Sequence, residues 1–164
     1  MMEKEGHSLN LGCGDKILKD ISGYPCINVD VRSLEGVDVV CDVRQLPFED
    51  ECFNRILASD IVEHFPISET ESLLQEWSRV LKVGGNMKFR TPSLKWVANH
   101  YLRTGDAKFV SYHIFGGQTY NTNFHYVIFD NEWLSSLCAK FGMETISYRE
   151  NHSNFEIVVK KEGV

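Results

Sequence analysis

Two glycines and two aspartates near the start of the chain have the types and spacing of a ligand-binding site. Gly12 and Gly14 follow a short strand-like run at residues 9–11, and Asp30 and Asp42 each close a further short apolar run. Parallel strands present ligand groups at their carboxyl ends, where glycine lets the backbone approach a ligand and a carboxylate can bind a ribose diol. The spacing therefore predicts one nucleotide-shaped pocket, with no phosphate-binding signature beside it.

A dinucleotide site or a simple turn could also account for the glycines. A dinucleotide site needs a third glycine to receive a pyrophosphate at a helix N-terminus, and the corresponding residue here is Ile17. A plain strand-to-helix turn would explain Gly12 and Gly14 by themselves. Asp30 and Asp42 at strand ends favour the cofactor site over both.

The elements that must position these residues are short. The patterns predict strands over residues 9–11, 26–31, 37–41 and 55–59. Only residues 33–36 separate the second strand from the third, which is too few for a crossover helix. We therefore expect the first two connecting helices to be reduced, which leaves part of the sheet uncovered as a candidate surface for a homodimer.

A long amphipathic helix and a fifth strand follow. Ser68 and Glu71 predict a capping box at the start of this helix, whose leucine, valine and tryptophan residues recur on one face. The glycine pair at residues 84–85 is predicted to end the helix. Residues 86–91 are predicted to form the fifth strand.

The back half of the chain contains a second helix and a hairpin. Asp130 is predicted to cap this helix, with Trp133 facing inward and Gly142 at its end. Residues 143–161 have the pattern of an antiparallel hairpin. Before the helix, residues 93–129 are rich in aromatic residues and lack a clean period, so they are predicted to be an irregular lid or a substrate-recognition insertion.

Composition narrows the range of functions. The chain has 164 residues, of which 43% are hydrophobic, enough for one core, and its net charge of −6 does not favour a nucleic-acid partner. It has no apolar run of ~18 residues and no basic leader, so neither a membrane span nor a secretory signal is expected. Five cysteines without a Cys-x-x-Cys pair predict no disulfide framework and no thiolate zinc site, and they suit a reducing cytoplasm.

Several motifs occur in an order that matches one enzyme family. They are Leu-Asn-Leu-Gly-Cys-Gly at 9–14, Asp30, Cys41-Asp42, Leu46-Pro-Phe-Glu-Asp50, Ala58-Ser-Asp-Ile-Val-Glu-His64 and Leu81-Lys-Val-Gly-Gly85. The set resembles the class I S-adenosylmethionine-dependent methyltransferases, in particular their methyltransferase type 11-like branch. The resemblance covers roughly residues 8–91, and more loosely residues 130–161.

The resemblance implies a fold class and a cofactor, S-adenosylmethionine. The implied fold is α/β, a Rossmann-like and mostly parallel sheet with helices on its faces and a C-terminal antiparallel hairpin, reduced in its first two connecting helices. Residues 1–164 would form a single domain, with residues 93–129 as its lid.

The resemblance also implies roles for residues around the methionine and ribose parts of the cofactor. Gly12, Cys13 and Gly14 would form the loop beneath the methionine part, and Asp30 would hold the two ribose hydroxyls. The family often has an acidic residue where this chain has Asn10, so that contact would be neutral or water-mediated here.

For the adenine end, the resemblance implies that Asp42 accepts from the amino group, with the Val43 backbone amide beside it. Val31 and Leu46 would lie on either side of the ring. Asp60, at the end of the fourth strand, would lie near the methionine end and the sulfonium.

Methyl transfer from a sulfonium needs alignment, exclusion of water and sometimes a base, which explains why no nucleophile is visible. If the acceptor must lose a proton, the imidazoles of His113 and His125 in the lid are the predicted catalytic bases. His64 is predicted to shape the loop after the fourth strand. No metal site is predicted, because no carboxylate–histidine pair at i, i+4 spacing supports one.

The sequence therefore predicts a methyltransferase acting on a small-molecule or glycan acceptor. The first alternative is a non-catalytic cofactor-binding or regulatory module with the same fold. Methylation of nucleic acid or protein is a third possibility, disfavoured for DNA by the acidic charge and by the lack of an Asn/Asp-Pro-Pro-Tyr/Phe segment.

Overall fold

The computed structural model describes residues 6–163, and its strands form one mixed sheet. The strands in this part of the chain are β1 (His7–Leu11), β2 (Asp20–Ile21), β3 (Tyr24–Asp30), β4 (Val39–Val40), β5 (Phe53–Ser59), β6 (Leu81–Pro92), β7 (Met143–Asn151) and β8 (Asn154–Lys161). Their order is β2-β3-β1-β5-β6-β8-β7, and β4 also pairs with β3. Strands β4, β3, β1, β5 and β6 are parallel neighbours, so their carboxyl ends share one edge.

The helices are α1 (Ile67–Val80), α2 (Leu94–Thr104), α3 (Ala107–Phe115) and α4 (Asn131–Ala139), with a short 3₁₀ helix at Val62–His64. Among the described residues, none of these helices is long and apolar enough to cross a bilayer. The five cysteines are free thiols, as the sequence predicts. The predicted fold class, including the antiparallel C-terminal hairpin of β7 and β8, is confirmed.

The two reduced connections at the front of the sheet are also confirmed. Between β1 and β3 the described chain forms only the short antiparallel strand β2, and between β3 and β4 it forms a loop. A buried amide pair fixes these segments, because Asn10 Nδ2 donates to Asn28 Oδ1 (3.0 Å), and Asn28 Nδ2 donates to the Leu18 carbonyl (2.9 Å). Without helical cover, Val40 is left 54% exposed.

The first long helix differs from its prediction at both ends. Helix α1 begins at Ile67, directly after Pro66, whose φ of −57° already suits a helix. The predicted capping box is therefore wrong, because Ser68 lies inside the helix and no side chain caps its start. The helix ends at Val80, and residues 82–85 lie within β6 as a bulge between the pairs Phe53–Leu81 and Arg55–Asn86.

The second predicted helix is confirmed in its capping. Asp130 Oδ1 accepts from the Trp133 backbone amide at 2.8 Å, and Gly142 beyond the helix has a φ of +71°. Leu134 and Leu137 are buried as expected. The predicted inward orientation of Trp133 is wrong, because this side chain is 39% exposed and lies against Phe129 at the rim of the core.

The lid segment, residues 93–129, is not irregular over its first half, which is a further correction. It forms α2 and α3, capped by Ser93 and by Asp106. Aromatic residues of these two helices pack on one another, and Val97 is the one residue of the two that is buried. Trp96 stacks on His100 at 5.0 Å, and His100 lies 4.3 Å from Phe109 between ring centroids.

Candidate active site

The carboxyl ends of the parallel strands line two adjoining clefts. The first cleft, of about 350 Å³, is lined by Gly12, Asp30, Val31, Asp42 and Val43 among others. The second cleft, of about 480 Å³, is lined by residues of the glycine loop, of β6 and of the lid segment. The two share the residues Gly12, Arg32, Asp60, His64 and Tyr120. The predicted convergence of strand ends is therefore observed.

The loop after β1 needs its glycines. Gly12 and Gly14 have φ angles of +59° and +54°, which residues other than glycine rarely adopt. A Cβ at Gly12 would lie 2.1 Å from Cδ1 of Ile61, so the loop is also closely packed. Between them, buried Cys13 donates its backbone N–H to the Val29 carbonyl at 2.9 Å, which ties the loop to β3.

Asp30 lies at the end of β3 and is 5% exposed, and both of its carboxylate oxygens accept hydrogen bonds from the protein. Oδ2 accepts from the Gly14 amide at 2.8 Å, and Oδ1 accepts from the Arg32 amide at 2.9 Å and from Arg32 Nε at 3.1 Å. Burial alone would raise its pKa, but the Arg32 and Gly14 hydrogen bonds hold the pKa of Asp30 below its ordinary value. Asp30 is therefore an ionised acceptor at neutral pH.

Asp42 repeats this arrangement at the next strand end. Its carboxylate accepts from the amide of Arg44 at 2.9 Å and from the guanidinium at 2.6 Å. The hydrogen bonds from Arg44 lower the pKa of Asp42. Arg44 also pairs with Glu69 at 3.0 Å, so this cation has a second partner beside the cleft.

The hydrophobic residues predicted around the adenine ring are only partly brought together. Val31 is exposed in the first cleft, and buried Val43 lies beside Asp42. Leu46 lines neither cleft, because it is 4% exposed in the core and its backbone amide donates to Glu76. Ile61 and Phe65, after β5, are apolar residues that do line the first cleft.

Asp60 is held by residues from three strands where the two clefts meet. Its φ is +53°, an uncommon conformation for a residue other than glycine. Its carboxylate accepts from Asn154 Nδ2 at 2.9 Å and from Ser59 Oγ at 3.1 Å, and it forms a close ion pair with Arg90. Its charge is therefore compensated by the protein.

The two predicted bases both line the second cleft. His113 Nδ1 donates to the Phe109 carbonyl at 2.9 Å, and His125 Nδ1 donates to the His113 carbonyl at 2.8 Å. With Nδ1 protonated, the free lone pair of each neutral ring is on Nε2. Burial lowers the pKa of His125, which keeps it neutral at physiological pH. His100 lies outside both clefts, stacked on Trp96.

Comparison with known proteins identifies the family. Residues 9–89 match the sequence profile described as a methyltransferase domain. The chain belongs to the class I S-adenosylmethionine-dependent methyltransferases. It is an enzyme of this family, whose methyl donor is S-adenosylmethionine. None of the curated proteins matches this methyltransferase.

Solved structures support the fold of the methyltransferase. The PH0226 protein of Pyrococcus horikoshii has a TM-score of 0.68 at 19% identity, covering 98% of this chain and 84% of that chain. A SAM-dependent methyltransferase of Methanosarcina mazei has a TM-score of 0.68 at 19% identity, covering 99% and 94%. The 1,6-didemethyltoxoflavin-N1-methyltransferase of Burkholderia thailandensis has a TM-score of 0.65 at 13% identity, covering 95% and 71%.

The lining residues of the methyltransferase that were not predicted include Arg32, Glu63, Arg90 and Tyr120. Arg32 lies over the Tyr120 ring at 4.8 Å and so connects Asp30 with the lid segment. Glu63 is fully buried, and burial, then Asp60, raises its pKa to about 8. The Val-Glu-His motif after β5 is the sequence signal for Glu63, and the arginine that follows Phe89 near the carboxyl end of β6 is the signal for Arg90.

Proposed function

We propose that this methyltransferase binds S-adenosylmethionine with its adenosine in the first cleft and transfers the methyl group to a small-molecule acceptor in the second cleft. The observation that carries the proposal is the meeting of Gly12, Gly14, Asp30 and Asp42 at one edge of the sheet. Two acidic groups and a glycine loop in this order offer acceptors for hydroxyl and amino donors, beside backbone that a ligand can approach.

In the proposed complex, Asp30 accepts from the ribose hydroxyls and Asp42 from the adenine amino group. Both carboxylates are already engaged by an arginine two residues later, at 3.1 Å for Arg32 Nε and 2.6 Å for Arg44 Nη2. Cofactor binding therefore requires each guanidinium group to break at least one of its hydrogen bonds to the carboxylate. Val31 and Ile61 would then flank the ring, and Asn10 would make at most a water-mediated contact, because its amide is committed to Lys16 and Asn28.

The second cleft suits a compact acceptor with polar groups. Its volume of about 480 Å³ lies in the range of small-molecule sites. Asn123, Asn154 and the two lid histidines line it beside Tyr112, so both hydrogen-bonding and flat apolar surfaces are available. The structural relative from Burkholderia thailandensis acts on a small heterocycle by its name, which supports a small molecule over the glycan that the sequence also allows.

S-adenosylmethionine supplies a methyl group on a positively charged sulfur, and that charge is lost as the methyl leaves. An unpaired anion near the sulfur would stabilise the reactant more than the transition state. Asp60 is suited to this position, because Arg90 and Asn154 compensate its charge. His125, or His113 beside it, would take the proton of an acceptor hydroxyl or amine at Nε2 while the carbonyl at Nδ1 holds the ring in place.

The proposal is tested by incubating the purified enzyme with isotopically labelled S-adenosylmethionine and fractionated small-molecule extracts, with mass spectrometry for labelled products. The expected result is a labelled small molecule whose yield at limiting S-adenosylmethionine falls when the Asp30→Asn variant replaces the enzyme. Asp50→Asn is the matched control, since Asp50 is an exposed surface carboxylate paired with Arg79 outside both clefts. Labelling confined to protein or nucleic acid would contradict the proposed acceptor class.

A further inference from the structure

The Glu63 side chain is the most unusual buried group next to the second cleft. It is fully buried, and its Oε2 accepts from the Thr91 hydroxyl at 3.0 Å. Its Oε1 is also buried, with no hydrogen-bond partner among the described residues. A buried carboxyl oxygen without a partner is energetically unfavourable, so this oxygen is available to a further hydrogen-bond donor such as a water.

Two imidazoles from different parts of the chain face this carboxyl group. One oxygen of Glu63 and one nitrogen each of His64 and His125 lie within 4.8 Å of one another. His64 Nδ1 donates to the Phe124 carbonyl at 2.9 Å, and His125 Nδ1 donates to the His113 carbonyl at 2.8 Å. The imidazoles lie edge to face, with centroids 4.8 Å apart. Nε2 is thus the nitrogen with a lone pair in both neutral rings.

The spacing of the three groups fits a bridging water better than a metal ion. Two hydrogen bonds of about 2.8 Å to one water at a tetrahedral angle span about 4.6 Å. A transition-metal ion with bonds of about 2.1 Å spans at most about 4.2 Å between two ligands. Separations up to 4.8 Å therefore accommodate a water with little movement, whereas an ion would have to draw the side chains together.

We propose that Glu63, His64 and His125 form a water-bridged proton relay at the back of the acceptor cleft, in which Glu63 receives the proton that His125 takes from the acceptor. The inference rests on the proposed function and deepens it by naming where the acceptor proton goes. Glu63 does not contact the acceptor and acts only through His125, so we call it a positioning residue and not a catalytic residue.

The proton balance of the relay is closed. The acceptor O–H or N–H bond breaks, its electron pair stays on the acceptor atom, and a new N–H bond forms at His125 Nε2. The proton cannot leave by Nδ1, whose own proton is held by the His113 carbonyl. Once the methylated product has left, the Nε2–H donates to the bridging water, which takes up this proton and passes one of its own to an ionised Glu63. Glu63 becomes the neutral acid and returns the proton through the same water to solvent in the open cleft before the next turnover.

The charged and titratable groups around Glu63 set its pKa, and therefore the pH above which the relay can accept a proton. They are Asp60 after β5, Arg90 on β6, His64 in its own 3₁₀ helix, and His125 with His113 in the lid segment. Burial and Asp60 raise the pKa of Glu63 to about 8, while Thr91 and Arg90 oppose this. Glu63 is therefore neutral below that pH, and the relay accepts protons as the pH rises through about 8.

The experiment is a pH titration of the histidine ¹³Cε1 resonances by NMR, which needs no acceptor. His64 and His125 are assigned with His64→Gln and His125→Gln, and His7, at the opposite end of β1, serves as the internal reference. We expect both resonances to show a separate inflection at about pH 8, which disappears in Glu63→Gln. In Thr91→Val, which removes the donor to Oε2, the inflection moves to higher pH. This second variant keeps the test decisive should Glu63→Gln fail to fold.

The relay is overturned if neither histidine senses an ionisation near pH 8, or if the inflection persists unchanged in Glu63→Gln. It is also overturned if one equivalent of Zn²⁺ shifts both resonances and abolishes the inflection, which would indicate a metal centre. Calorimetry with S-adenosylhomocysteine on the same samples separates this failure from that of the proposed function. If the wild-type enzyme binds S-adenosylhomocysteine but its histidines show no inflection near pH 8, only the relay is rejected. If the wild-type enzyme does not bind S-adenosylhomocysteine, the cofactor site itself is rejected.

Discussion

The role proposed for Asp30 gives the sharpest single prediction. In Asp30→Asn the side chain keeps its shape and loses its charge, so it can accept from only one ribose hydroxyl and binds it as a neutral amide. The carboxylate is buried, ionised and aligned by the Gly14 amide at 2.8 Å, so its hydrogen bonds to a ligand are charge-assisted. We expect S-adenosylhomocysteine binding to weaken by about 1–3 kcal/mol, which is roughly 5- to 150-fold in Kd.

The assay is isothermal titration calorimetry of the wild-type enzyme, Asp30→Asn and the control Asp50→Asn at pH 7.5. Arg32→Ala is a comparison in which no loss of affinity is expected, because Arg32 Nε competes for Asp30 Oδ1 at 3.1 Å in the free protein. Removing this competitor should leave affinity unchanged or tighten it by a few fold. Unaltered affinity in Asp30→Asn, or a loss in Asp50→Asn of equal size, would refute the reasoning.

Three further predictions concern the loop, the base and the uncovered part of the sheet. Gly12→Ala should lower the melting temperature, because φ at this position is +59° and the new Cβ would lie 2.1 Å from Ile61. Adding Ile61→Val should recover part of the loss, and an unchanged melting temperature in Gly12→Ala would argue against this close packing. His125→Gln should lower the methyl-transfer rate about 10²- to 10⁴-fold for acceptors that must lose a proton while leaving S-adenosylhomocysteine binding intact, and an equal loss of binding would reject its role as a base. We also propose a homodimer through the surface that includes the exposed Leu34 and Val40, so Val40→Asp should shift sedimentation from dimer to monomer, and a monomeric wild-type enzyme at high concentration would contradict this.

The positions of the strand ends could be predicted from sequence because their signals are local. A glycine loop after β1 and an aspartate at the end of β3 follow from strand patterns of a few residues, and parallel pairing then brings them together. The reduced connections were predictable for the same reason, since four residues cannot form a crossover helix.

The errors occur where tertiary packing overrides a local signal. The glycine pair at residues 84–85 marks a helix end in many sequences, but here it forms a bulge in β6 because β5 pairs on both sides of it. Helix α3 escapes prediction because its aromatic residues pack beside one another, as Phe109 does on His113 at 4.0 Å, and none of its residues is buried. Helix α2 has a helical period in its apolar residues and could have been predicted, although only Val97 of this helix is buried.

The site residues that the sequence does not reveal depend on contacts between distant segments. Arg32 connects Asp30 to Tyr120, about ninety residues later in the chain, and nothing in the local pattern specifies that contact. The family resemblance places Leu46 at the adenine ring, but its side chain packs in the core and its backbone amide is fixed by Glu76 on α1.

The central claim is that the strand ends hold an adenosyl ligand with its sulfur directed towards the second cleft. A crystal structure of the complex with S-adenosylhomocysteine tests it most directly. The account predicts ribose hydroxyls within hydrogen-bond distance of the Asp30 carboxylate, the adenine beside Asp42, and the sulfur between Gly12 and the lid histidines. A ligand bound elsewhere, or one whose ribose lies away from an Asp30 still paired with Arg32, would contradict it.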